Sequence, residues 1–157
     1  MSFKEAFKYP QAMSSGQPVN SAILTPDGWK GMGEVKAGDL VVAIANPPHQ
    51  IMQRAKHPAE ILYAAHKGVK GIYRITLASG ATARFASDEP LDCSSMHEAT
   101  MLTLATKTSF AMRDYVTSVQ LVGEEESRSI LIGHPGHLYV TNDFIVVHDS
   151  FPCEDNV

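Results

Sequence analysis

Turn signals recur along this chain at intervals of about ten residues, and that spacing leaves little room for long helices. Thr25-Pro26-Asp27-Gly28 places proline second and glycine last in a four-residue reversal. Lys36-Ala37-Gly38-Asp39 is a second turn, and Ser79-Gly80 marks a hairpin. Between the turns lie apolar runs of strand length: Ala22 to Leu24, Leu40 to Ile44, Ile61 to Ala65 and Ile72 to Leu77. Ala81, Ala83 and Phe85 alternate with Thr82 and Arg84, the period of a half-buried strand. Tyr115 to Val122, Ser129 to Ile132, Leu138 to Thr141 and Phe144 to His148 extend the series, whereas Ser95 to Leu104 reads as a short helix or a loop–strand junction. Gly68 to Gly71 is expected to be a turn between two strands. Gly123 is expected to end another, with Glu124 to Glu126 forming a solvated turn. The pattern predicts an all-β sandwich or a curled, barrel-like sheet, with Trp29, Phe85, Tyr139 and Phe144 in its core.

The length, 157 residues, suits one domain, and 44% apolar against 19% charged residues suits a packed one. Residues 1–20 read as an arm: Phe3 and Phe7 share one side of a single helical turn, and Pro10, Gly16 and Pro18 break regular structure. Residues 21–150 then form the β domain, with an irregular excursion from Ala45 to Pro58, and residues 151–157 a short acidic tail. Thirteen basic against 17 acidic residues give a net charge of −4, which argues against a nucleic-acid partner. No apolar run approaches the roughly 18 residues of a membrane span. The first residues carry Glu5 and no apolar stretch, so no signal peptide is expected. Cys93 and Cys153 make no disulfide framework, and His134 with His137 has no companion at a metal-binding spacing, so neither a metal nor a cofactor is expected.

Three stretches carry a more specific signal. SAILTPDGWKGMGEVKAGDLVVA (21–43), GIYRITLASGATARFASDEPL (71–91) and GHLYVTNDFIVVHDS (136–150) stand in order across residues 15 to 150. Together they resemble the Hint superfamily: inteins, hedgehog autoprocessing domains and bacterial intein-like domains. The first is similar to the family's opening hairpin. The second is similar to the strand–turn–strand that leads into a Thr-x-x-His-Pro sequence. The third is similar to the closing strand, which ends in His-Asn before Ser, Thr or Cys. The resemblance implies a horseshoe-shaped, curled β-sheet. It also implies a chemistry in which an initial Cys or Ser attacks the preceding carbonyl and a terminal Asn cyclises to cut the chain.

Carried over residue by residue, much of that machinery is missing. The nucleophile's place, five residues before Ser21, is Gly16, with Ser15 one place off and Ser14 beside it. The Thr of the second block falls on Ala86 and its His on Glu89. An ionised Glu89 would repel the oxyanion that a histidine supports. At the end His148 is kept, Asp149 replaces Asn, Ser150 is an acceptor-type residue, and His137 matches a further family histidine. Ser15, Glu89, His137, His148, Asp149 and Ser150 are therefore vestigial site candidates.

The leading expectation is a non-catalytic structural or assembly protein, in a phage virion or the cytoplasm. Its arm and tail would contact neighbouring protein subunits, including copies of itself. The alternative is a self-processing domain that cleaves slowly at His148-Asp149-Ser150 or shifts an acyl group near Ser15. A third reading is a module that binds a peptide on the face around Glu89, His137 and His148.

Overall fold

The computed structural model describes residues 16–44, 56–88, 90–91, 100–104, 111–134 and 137–149. Ten strands account for most of them: β1 (Gln17–Pro18), β2 (Ala22–Thr25), β3 (Gly28–Gly31), β4 (Leu40–Ile44), β5 (Lys56–Leu77), β6 (Thr82–Ser87), β7 (Thr100–Leu104), β8 (Ala111–Ile132), β9 (Leu138–Thr141) and β10 (Ile145–His148). Among the described residues there is no α-helix, and no helix is long and apolar enough to cross a membrane. β1 lies within the stretch read as an arm and joins the sheet.

Among the described residues every pairing is antiparallel, and the strands close a circuit. β4 pairs with β5 and β9, β9 with β10, β10 with β7, β7 with β8, and β8 returns to β5. Closure of this kind leaves few free edges. β6 extends the sheet beyond β5, β1 pairs with the far part of β8, and the β2–β3 hairpin joins through Ile23 and Thr141.

The long strands depart from the sequence expectation. Residues 68–71 do not turn. β5 runs through them for 22 residues, and β8 runs equally far through Gly123 and Glu124 to Glu126. Each glycine sits where the register slips. His66 faces Arg128 but Gly68 faces Ser127, leaving Lys67 over, and Ile72 faces Gly123 but Tyr73 faces Leu121, leaving Val122 over. Gly68 (φ +81°) and Gly123 (φ +142°) thus shape β-bulges, which bend and coil a strand without ending it. Glu124, Glu125 and Glu126 lie opposite Gly71, Lys70 and Val69, and Glu125 is ion-paired to Arg84 at 2.9 Å.

The apolar runs Val41 to Ile44 and Ile145 to Val147 lack alternation because both of their faces are covered, whereas Leu40 at the strand's start is exposed. Val41, Ala43, Ile145 and Val147 enter the main core with Ile23, Ile61, Ile75, Phe85, Ile132 and Tyr139. Val42, Ile44, Leu138, Val140 and Val146 form a smaller cluster, against which Leu24 and Phe144 pack. Phe85 and Tyr139 are buried as expected and Phe144 partly so, but Trp29 is 44% exposed. Its β2–β3 hairpin meets β9 through a single register pair, which leaves β3 on the outside of the sheet.

Candidate functional site

The β9–β10 hairpin brings the last candidates together. Its ladder ends with His148 opposite Leu138, so the next residues outward are Asp149 and His137. Asp149 N–H donates to the His137 carbonyl at 2.8 Å, which prolongs the ladder by one bond. His137 adopts a left-handed backbone (φ +58°), an unfavourable conformation for a residue with a side chain. The compensation is local. His137 Nδ1 lies 3.0 Å from Asp149 Oδ2, and its ring stacks near that of His148, with centroids 5.8 Å apart.

Asp149 has no exposed side-chain surface. Its Oδ2 also accepts the N–H of Ile132, the last residue of β8, at 2.9 Å. Its Oδ1 is buried without a hydrogen-bond partner among the described residues, 3.5 Å from His148 Nδ1. Burial pushes the Asp149 carboxyl above its ordinary range, while the Ile132 N–H and the neighbouring His137 pull it part of the way back. His148 Nδ1 lies 2.8 Å from the Asp149 carbonyl oxygen, and since a carbonyl only accepts, that nitrogen carries the hydrogen. His148 is therefore aimed at the carbonyl of the Asp149–Ser150 bond.

Behind this cluster runs a chain of buried polar groups. Tyr139 OH donates to Gln17 Oε1 at 2.8 Å, and Gln17 Nε2 donates to Thr141 Oγ1 at 3.0 Å and to the Arg84 carbonyl at 3.3 Å. Thr141 Oγ1 passes its own hydrogen to the Ala22 carbonyl at 2.7 Å. Burial, with the charge of Asp149 second, raises the Tyr139 hydroxyl well above its usual range. Gln17 and Thr141 escaped the sequence reading. Their one signal was polarity within segments that bury nearly every residue.

The place that the resemblance assigns to the nucleophile also lies within the described residues. Gly16 precedes β1, and its carbonyl accepts Ala86 N–H at 2.9 Å. Gly16 has φ +116°, and a Cβ built there would lie 2.6 Å from the Arg128 carbonyl oxygen. No side chain fits without movement of β8. Ala86 is fully buried and offers no hydroxyl. Ser15, Glu89 and Ser150 lie outside the described residues, as do Cys93 and Cys153. The structure thus joins His137, His148 and Asp149 at one end of the sheet. Among the described residues, no group of three His, Cys, Asp or Glu side chains could hold a metal ion.

Comparison with solved structures matches this architecture to inteins. A double mutant of a Ssp DnaB mini-intein variant superposes with a TM-score of 0.68 at 17% identity, covering 87% of this chain and 93% of that one. A DnaB intein from Synechocystis sp. PCC 6803 gives 0.60 at 18% identity over 87% and 99% of the two chains. The gp41-1 intein gives 0.57 at 20% identity over 85% and 98%. No family model and no curated protein matches the sequence. At such low identity the likeness establishes the fold alone, the Hint fold of these inteins.

Proposed function

We propose that this protein is a structural or assembly subunit built on a Hint scaffold that does not splice. The observation that carries the reading is the closed space at Gly16. Splicing begins with a side-chain nucleophile at that place, and here a single Cβ would strike the Arg128 carbonyl oxygen. Ala86 supports the same reading, since its methyl group stands where the resemblance calls for a Thr hydroxyl. Leu62, Tyr63 and Val69 on β5 and Leu121 on β8 are all exposed and offer apolar surface to neighbouring protein subunits. A phage particle is the setting in which we place such a subunit.

Intact mass and light scattering test this together. A full-length mass that is stable for days and unchanged by thiol or hydroxylamine is expected, with association as concentration rises. Thiol-released fragments would overturn the non-splicing role, and a monomer at every concentration would overturn the assembly role.

A second reading rests on the 2.8 Å contact from His148 Nδ1 to the Asp149 carbonyl. A donor there supports the oxyanion formed when a carboxyl oxygen of Asp149 attacks its own main-chain carbonyl carbon. That attack forms a five-membered anhydride, breaks the bond to the Ser150 nitrogen and leaves the proton on the departing amine. Water then opens the anhydride to two carboxyl groups. A fragment with the mass of residues 1–149, growing faster at mildly acid pH, would favour this reading. Its absence after prolonged incubation would exclude it.

A further inference from the structure

The 3-10 turn Asn142–Phe144 joins β9 to β10 and lines an open groove of about 690 Å³. Trp29 and Phe144 supply its aromatic surface, Ala22 and Ala81 small apolar surface, and Asn142 and Asp143 polar groups. We propose that this groove is a docking site for an arginine-bearing segment of a partner polypeptide. The inference is independent of whether the domain cleaves itself.

The turn is strained and over-determined. Asp143 (φ +56°) and Phe144 (φ +59°) are consecutive left-handed residues, each with a side chain. Three side chains hold them there. Thr141 Oγ1 donates to the Ala22 carbonyl, Asn142 Oδ1 accepts Ala22 N–H at 2.9 Å, and Asp143 Oδ2 accepts Thr82 N–H at 2.8 Å. The turn therefore presents fixed groups. Phe144 packs edge-to-face on Trp29, with ring centroids 5.2 Å apart and planes at 76°, which orients an indole that remains 44% exposed.

The chemistry of these groups selects the ligand. An exposed tryptophan face attracts a cation, most of all a guanidinium, which can stack on the ring while hydrogen-bonding in its own plane. Asp143 supplies the acceptor. Its carboxylate is exposed, and among the described residues no Lys or Arg pairs with it. The groove volume exceeds one side chain and leaves room for flanking backbone. The acidic chain, at −4, favours a cationic partner over an anionic one.

Trp29 is the only tryptophan, so its emission reports the groove in the full-length protein. The probe is the blocked tripeptide acetyl-Ala-Arg-Ala-amide, compared with its citrulline counterpart, which keeps the shape and loses the charge. The arginine peptide is expected to produce a saturable emission change at millimolar concentration or below, with citrulline about tenfold weaker. Asp143→Asn is expected to erase that preference. Asn still accepts the Thr82 N–H and tolerates the left-handed backbone, so the turn survives. Equal responses to the two peptides, no saturable response, or an unchanged preference in Asp143→Asn would each overturn the proposal. So would an emission shift on replacing Lys4 and Lys8 by alanine without added peptide, because the groove would then hold the chain's own amino-terminal segment.

Discussion

Asp149 and His137 are tied twice, once through the backbone, where Asp149 N–H meets the His137 carbonyl at 2.8 Å, and once through Oδ2 and Nδ1 at 3.0 Å. The double tie fixes a carboxyl group inside the sheet and a histidine in a left-handed conformation. One residue's burial thus depends on the other's strain. Neither would be stable alone: an unpaired buried carboxylate is costly, and so is left-handed backbone without compensation.

The first prediction follows from the raised Asp149 pKa. A carboxyl group held above its unfolded value binds its proton more readily when folded. Its contribution to stability is therefore complete below the unfolded pKa near 3.8 and is lost as pH rises through the folded value. Asp149→Asn removes this titration. Thermal melts from pH 4 to 8 are expected to show the wild type gaining on the variant as pH falls. A difference that is flat across the range would contradict the buried, proton-retaining carboxyl.

The second concerns Gly16. Gly16→Cys puts a thiol where the resemblance calls for a nucleophile, but it also forces a Cβ toward the Arg128 carbonyl and a side chain onto φ +116°. The expected result is a loss of roughly 2 kcal/mol of stability, with no thiol- or hydroxylamine-sensitive cleavage. Urea melts and intact mass read the two effects separately. Thioester chemistry in a well-folded variant would overturn the closed space at Gly16 on which the non-splicing role rests.

The sheet architecture was legible because turn chemistry and apolar runs of strand length are local, with two-residue alternation adding to them at β6. β2, β4, β6, β9 and β10 fall where Ala22 to Leu24, Leu40 to Ile44, Ala81 to Phe85, Leu138 to Thr141 and Phe144 to His148 place them, to within a residue or two. The long strands were not legible. A glycine that bulges a strand and one that turns a chain look alike in sequence, and only the partner strand separates them. His137, His148 and Asp149 were legible as candidates through the family resemblance, while their approach to one another follows from the β9–β10 register. Gln17 was not, because its role depends on Tyr139 and Thr141, more than 120 residues away.

That long-range contact gives the third prediction. Tyr139→Phe deletes the donor to Gln17 Oε1 and leaves a buried acceptor unpaired, at a cost of about 1–3 kcal/mol. Gln17→Ala removes both ends of the Tyr139–Gln17–Thr141 link. If the three groups act as one network, the double variant Tyr139→Phe with Gln17→Ala loses less than the sum of the singles, by at least about 0.5 kcal/mol. Strict additivity in a urea-melt cycle would show that the contacts are independent.

The fourth separates the two bulges. At Gly68 and at Gly123 an added Cβ meets nothing within 4 Å, so any cost of alanine is backbone strain rather than a clash. Gly68 has φ +81°, near the left-handed region that Asn also visits, and Gly68→Ala is expected to cost about 1 kcal/mol, with Gly68→Asn milder. Gly123 has φ +142°, far beyond that region, where only glycine is at ease. Gly123→Ala is therefore expected to cost more than Gly68→Ala, toward about 3 kcal/mol, with Gly123→Asn giving no relief. Parallel urea melts of the four variants check the order. If Gly123→Ala proved neutral, β8 would have an equally stable path without its bulge, and the slip that leaves Val122 unpaired opposite Ile72 and Tyr73 would not be fixed by the glycine.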